Sequence, residues 1–119
     1  MARADTFEAR NRRVQLLQWH LVEGTTQKEI AKRLGITTAR VSQLIGDGCM
    51  EVAKGKIAMP ADFDYSSSRL LVSKMVMLAC ARKWESFFES SQNYEAISRL
   101  TIPEQLEWVR KSKMIRWYQ

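Results

Sequence analysis

The sequence predicts an all-α protein in which an N-terminal three-helix unit is followed by a helical C-terminal region. Three observations support this fold class. Only two prolines and five glycines interrupt the 119 residues. Apolar residues recur at helical spacing, and runs that alternate β-branched with polar residues are scarce. With 45% apolar and 27% charged residues, the chain is close to the globular average and can bury a core.

The first helix is predicted over residues 7–23. Its apolar positions are Val14, Leu17, Leu21 and Val22, which recur at helical spacing. Asp5 and Glu8 have the spacing of a capping box, and Gly24 ends the run.

Two short helices follow. Thr26 and Glu29 form a second capping box, which starts a helix that ends at Gly35. Thr37 is positioned to cap a third helix over residues 38–45, whose apolar stripe is Val41, Leu44 and Ile45. The sequence Gly-Asp-Gly at 46–48 favours a turn, so the third helix is expected to end there.

Residues 49–59 permit two interpretations. They form either a small hairpin that turns at Lys54 and Gly55, as a wing beside the third helix, or a further short helix. Residues 60–68 have the polar, turn-prone composition of a linker. The predicted domains are therefore 1–60 and 61–119.

The second half begins with a strongly apolar run, for which a single long helix is predicted over 66–90. This helix is too apolar to be covered on one side only, so it is either the centre of a subdomain or a contact between two copies. Asn93 is expected to open a short helix. Thr101, Pro103 and Glu104 start a last helix, whose apolar residues are Leu106, Val109, Met114 and Trp117.

Charge favours a polyanionic partner. The net charge is +6, and residues 1–60 hold ten Lys and Arg against six Asp and Glu, while residues 61–119 hold nine against seven. Phosphate binding is therefore expected in the first half. The chain has no apolar run long enough for a membrane span and no signal-peptide pattern, so we expect a cytoplasmic protein.

Nothing in the sequence indicates an enzyme. His20 is the single histidine, and Cys49 and Cys80 are isolated, so neither a metal site nor a cofactor is expected. Both cysteines are interpreted as small core residues. Asp62 and Asp64 are the nearest approach to a paired-carboxylate site, but their position before a helix indicates capping.

The segment from Gln27 to Ile45, QKEIAKRLGITTARVSQLI, resembles the helix-turn-helix of bacterial and phage DNA-binding proteins. The small residue Ala31 lies where the two helices cross, and Gly35 takes the left-handed position of the turn. The matching core positions are Ile30, Leu34, Ile36, Val41 and Leu44. The alternative is an ordinary helical hairpin that binds no DNA.

The resemblance implies that the second helix of the motif enters the major groove. Its outward residues would then face base edges, and the N-termini of both helices would contact phosphates. The implied DNA-binding residues are Gln27, Lys28, Thr37, Thr38, Ala39, Arg40, Ser42 and Gln43. Lys32 and Arg33 fit a solvated helix face as well as a DNA contact.

The motif is similar to region four of sigma factors, to phage regulators and to small terminase subunits. We therefore expect a sequence-specific double-stranded DNA-binding protein that regulates transcription, with DNA packaging or replication initiation as the alternative. Since one recognition helix contacts few base pairs, a homodimer is expected through 66–90 and the C-terminal helix. A surface for a partner protein is the other interpretation of this half.

Overall fold

The computed structural model describes residues 7–113, and it confirms the all-α class. No strand occurs among these residues. The elements in chain order are helix α1 (Phe7–Leu17), a π-helical turn (Gln18–Val22), α2 (Gln27–Leu34), α3 (Thr38–Ala53), a 3₁₀ turn (Tyr65–Ser67), α4 (Arg69–Lys83), α5 (Phe87–Ser98) and α6 (Ile102–Ser112).

The chain divides into two compact units between Gly48 and Cys49. The division therefore lies within α3, earlier in the chain than the boundary predicted after residue 60. The first unit holds α1, α2 and the N-terminal turns of α3. The second holds the end of α3 and everything that follows it.

Helix α1 continues into the π-helical turn. Together the two elements cover residues 7–22, nearly the whole span predicted for the first helix. Leu16 and Leu17 are buried, whereas Val14 and Val22 are exposed. Hydrogen bonds of a π-helix span five residues instead of four, and the Glu23 N–H accordingly donates to the Gln18 carbonyl at 3.0 Å. Asp5, the other half of the predicted capping box, lies outside the described residues.

The two helices of the predicted motif begin and turn as expected. Thr26 Oγ1 accepts the Glu29 N–H at 3.2 Å, and Thr37 Oγ1 accepts the Arg40 N–H at 3.0 Å. Gly35 has φ +65° and ψ +34°, and its N–H donates to the Ala31 carbonyl. The glycine is required here because this left-handed conformation strains other residues.

Helix α3 is longer than predicted, and the wing at 49–59 is absent. The prediction that 46–48 ends the helix is wrong because the buried stripe continues past it through Cys49, Val52 and Ala53. Gly48 fits this helix because it lies against the Leu17 side chain, where an added Cβ would be 2.9 Å from Cδ1. The helix ends instead before Gly55, which has φ +79°.

The single helix predicted over 66–90 is also wrong. Helix α4 ends at Lys83, and Trp84 has extended backbone (φ −118°, ψ +120°). The Trp84 ring stacks on Trp108, with centroids 6.2 Å apart and planes within 7°. Ser86 then caps α5, accepting the Glu89 N–H at 3.4 Å. The short helix expected to open at Asn93 is the C-terminal part of α5.

The core of the second unit is built mainly on α4. Its buried residues are Leu71, Val72, Met75, Val76, Ala79 and Cys80, and Ile97, Leu106 and Val109 are buried on α5 and α6. Thr101 and Glu104 form the predicted capping box of α6. Cys49 and Cys80 are free and buried, as predicted. Met114 and Trp117 lie outside the described residues.

Candidate nucleic-acid interface

The N-terminal turns of α3 have one buried face and one open face. Val41 and Ile45 are fully buried and Leu44 is half-buried, so these side chains hold the helix against the first unit. The opposite face is exposed. It consists of Thr38, Ala39, Arg40, Ser42 and Gln43, the residues that the motif places against base edges. The structure thus brings these five predicted residues together on one polar surface.

Two side chains of this surface are linked. Arg40 Nη1 donates a hydrogen bond to Gln43 Oε1 at 3.2 Å. The bond orients the Gln43 amide, because it fixes which end of the amide is the oxygen. The oxygen retains a second lone pair and the amide nitrogen has two donors, so Gln43 can still make a bidentate contact with a base edge.

The N-termini of α2 and α3 form the second part of the candidate interface. Thr37 is exposed, and although its oxygen caps α3, its hydroxyl proton remains available to a phosphate. Lys28 is exposed and Gln27 half-buried in the first turn of α2. Free backbone N–H groups and the positive end of the helix dipole favour an anion at both positions.

Arg33 has a defined orientation, which its sequence position did not reveal. Its guanidinium lies over the Trp19 ring at 5.1 Å from the centroid, and its Nε is 3.7 Å from Glu29 Oε1. The contact with Trp19 is not evident from the sequence, because Trp19 lies in the π-helical turn, whose residue spacing differs from that of an α-helix. Lys32 is exposed beside it on α2.

The single histidine has a structural role. His20 Nδ1 lies 2.8 Å from the Thr25 carbonyl oxygen, so the ring donates to the backbone of the loop that precedes α2. Within residues 7–113, no three His, Cys, Asp or Glu side chains lie close enough together to hold a metal ion.

Comparison with known families agrees with this geometry. Residues 6–54 match the family model of sigma-70 region 4, a helix-turn-helix DNA-binding domain found in bacterial and phage proteins. The match covers α1, α2 and the whole of α3. No curated protein and no solved structure matches the chain significantly. In the part that the structure describes, no helix is long and apolar enough to cross a membrane.

Proposed function

We propose that this chain, whose residues 6–54 form a helix-turn-helix DNA-binding domain, is a sequence-specific regulator of transcription in bacteria or phages. The observation that carries the proposal is the exposed polar face of α3 opposite buried Val41 and Ile45. A helix held in this way offers its first turns to the major groove while its apolar side stays in the protein core.

Each residue of the face has a chemical role in this proposal. The Gln43 amide pairs with the donor and acceptor of adenine, and Arg40 pairs with guanine or a phosphate. The Ala39 methyl contacts a thymine methyl, while the hydroxyls of Thr38 and Ser42 serve either base edges or the backbone.

The N-termini of the two motif helices position the protein on the duplex. Gln27, Lys28 and Thr37 contact phosphates, which carry no sequence information but set the register of α3 in the groove. Because such contacts release counterions, affinity falls steeply as salt increases.

The regulator acts in the cytoplasm as a homodimer, with the second unit providing the contact through residues 66–90 and the C-terminal helix. One recognition helix covers few base pairs, and a twofold pair covers two half-sites one helical turn apart. Dimerisation therefore supplies the specificity that a single copy lacks.

Selection of duplexes from a random pool, followed by fluorescence anisotropy at two salt concentrations, tests the proposal. We expect an enriched motif, salt-sensitive binding and a relaxed preference in Gln43→Ala. A pool that shows no enriched sequence would contradict sequence-specific regulation. Gln92→Ala, in the second unit, is the matched control and should leave the enriched motif unchanged.

Solution mass separates regulation from the alternative role in DNA packaging or replication initiation. A dimer on and off DNA supports a regulator that binds paired half-sites. A closed ring of many subunits favours packaging, because such a ring loads DNA onto a larger machine.

A further inference from the structure

We propose that the second unit binds a small phosphate monoester in a polar cavity between α4, α5 and α6, here called the arginine cavity. The cavity has a volume of about 370 Å³ and lies wholly within the second unit. This volume is typical of sites that hold small molecules. The proposal goes beyond the function proposed above, since it requires neither DNA nor a second copy of the chain.

Three helices form the walls of the arginine cavity. Helix α4 contributes Arg69 and Ser73 from its first two turns, and α6 contributes Ile102 and Gln105. The end of α5 and the connection to α6 contribute residues 98–101. Each of the three helices also places residues in the core of the unit, so packing holds the walls in position.

The arginine cavity is positively charged. Arg69 and Arg99 both line it, whereas none of its described lining residues is acidic. The Arg69 side chain makes no ion pair with any described residue. Arg99 donates to Glu95 through Nη2 at 2.7 Å, which leaves its Nε and Nη1 donors for a ligand. Two guanidinium groups favour an anion, and their planar donor geometry matches the oxygens of a phosphate.

A buried acceptor in the cavity specifies a further part of the ligand. Gln105 is 8% exposed, and its Nε2 donates to the carbonyl oxygens of Ser98 at 3.2 Å and Leu100 at 2.8 Å. These bonds account for both amide hydrogens and fix which end of the amide is the oxygen. No described residue donates to Oε1, and this atom is not sealed from solvent. It therefore opens into the cavity that Gln105 lines, where it can accept an O–H or N–H of a ligand.

The first turn of α6 adds a backbone donor. Ile102 is the first residue of α6, so its N–H has no partner within the helix, and the helix dipole is positive at this end. The Glu104 carboxylate is already bound by the hydroxyl and N–H of Thr101, and it does not line the cavity. With the two arginines, this donor favours a phosphate monoester, whose charge is about −1.5 to −2 at neutral pH.

The acceptor favours a small molecule over the backbone of DNA. Within a DNA strand the phosphates are ionised and the deoxyribose has no free hydroxyl, so the backbone offers acceptors but no donor. It can therefore satisfy the arginines but not Gln105. A small phosphate monoester with a hydroxyl beside the phosphate can satisfy both, and a recess between three helices can enclose it.

Titration of the full chain with inorganic phosphate, followed by NMR of the backbone amides, tests the arginine cavity. At constant ionic strength, phosphate should shift the signals of Arg99 and Ile102 until they saturate. Arg69→Ala and Arg99→Ala should each weaken binding by about tenfold or more, because each removes hydrogen bonds to a charged group. Circular dichroism establishes that the variants fold.

Lys111→Ala is the matched control, since it removes a positive charge from α6 outside the cavity. It should bind phosphate as the parent chain does. The proposal is overturned if phosphate does not bind, if it shifts no signal from the cavity, or if binding survives unchanged in both arginine variants.

Two phosphate esters test the role of Gln105. Glycerol phosphate has hydroxyls beside its phosphate, and propyl phosphate has the same carbon chain without them. We expect glycerol phosphate to bind about fivefold more tightly, as one additional hydrogen bond allows. Equal affinities would show that Oε1 receives no donor from the ligand, which would overturn the specificity proposed for the cavity.

A duplex of mixed sequence separates this proposal from the proposed function. If DNA shifts the signals of Arg99 and Ile102 and the phosphate esters do not, the cavity is a DNA contact and the small-molecule site is refuted. If the esters bind but selection enriches no duplex sequence, the regulator is refuted and the arginine cavity is supported.

Discussion

The guanidinium of Arg40 donates to the amide oxygen of Gln43 across the exposed face of α3, at 3.2 Å. The two residues are three apart, which places them on the same side of a helix. In the proposed complex with DNA, Arg40 would contribute in two ways. It would present its own donors to DNA, and its bond to Gln43 would fix the orientation in which Gln43 meets a base.

This link predicts that the two residues are coupled in base discrimination. Gln43→Ala should reduce discrimination at one base pair by about 1–3 kcal/mol. Arg40→Ala should reduce discrimination at that same base pair as well, because it removes the bond that orients Gln43. The double variant should lose less than the sum of the two single losses. Anisotropy titrations on the enriched duplex and its single-base variants measure all three.

Lys111→Ala is the control for loss of a positive charge, since Lys111 lies on α6 and pairs with Glu107 at 3.6 Å. It should not alter discrimination at any base pair. Strictly additive losses in the double variant would show that Arg40 and Gln43 act independently.

The two glycines within α3 should respond in opposite directions to alanine. Gly48→Ala places a Cβ 2.9 Å from Leu17 Cδ1, and because Leu17 is 1% exposed it has little room to move. We expect a net loss of about 1 kcal/mol in the free energy of unfolding. Gly46→Ala meets nothing within 4 Å. It should stabilise the helix by about 0.5–1 kcal/mol, because alanine loses less backbone entropy than glycine.

Urea unfolding followed by circular dichroism measures both changes, and each glycine variant serves as the control for the other. Stabilisation by both substitutions would mean that Leu17 does not restrict the space at Gly48.

Acidification should weaken α6 at its N-terminus. The Thr101 hydroxyl donates to Glu104 Oε1 at 2.7 Å and the Thr101 N–H donates to it at 3.1 Å, and these bonds hold the pKa of Glu104 below its ordinary value. A carboxyl with a lowered pKa stabilises the folded state above its unfolded pKa. That contribution is lost as the pH falls through the folded pKa.

Thr101→Ala should therefore flatten the dependence of unfolding free energy on pH in the acidic range, as measured by urea unfolding at a series of pH values. Asp64, whose pKa is also lowered by hydrogen bonds from Ser66, keeps its own contribution in both proteins. Glu107→Gln, which alters a carboxylate outside the capping box, should keep the Glu104 contribution. An unchanged acidic profile in Thr101→Ala would contradict the prediction.

The two thiols should be inert in the folded protein. Burial raises the pKa of Cys49 to about 12, against a smaller opposing effect from the charge of Lys74, and burial also raises the pKa of Cys80. Because the thiolate is the reactive form, neither should react with a maleimide at neutral pH. Mass spectrometry should find both labelled after unfolding in urea. Labelling of the native protein at the rate of a free thiol would contradict this burial.

The sequence predicts the helix-turn-helix closely because the caps and the turn of this motif depend on residues that are near one another in the chain. Thr26 and Thr37 cap their helices, and Gly35 is left-handed, for reasons contained within a few residues of each. Local sequence signals are misleading at positions where packing between helices determines the backbone conformation. Gly46 and Gly48 indicate a turn by composition, but the burial of Leu17 against Gly48 keeps them in a helix.

The end of α4 in the second unit was also not predictable from local sequence signals. The apolar run that crosses Trp84 has helical spacing throughout, and its composition does not reveal the break. The break coincides with stacking between Trp84 and Trp108, which are far apart in the sequence. The exposed face of α3 was predictable from spacing, whereas the bond between Arg40 and Gln43 and the position of Arg33 over Trp19 depend on side-chain conformation.

The contact between Leu17 and Gly48 also sets the axial position of α3. A helix that slips by one residue moves about 1.5 Å along its axis and rotates about 100°. Such a slip would place a residue with a side chain, instead of Gly48, against Leu17. It would also rotate Gln43 so that its side chain points in a different direction. If α3 binds the major groove as proposed, the packing of Leu17 against Gly48 would therefore determine how far, and at what angle, the N-terminal end of this helix enters the groove.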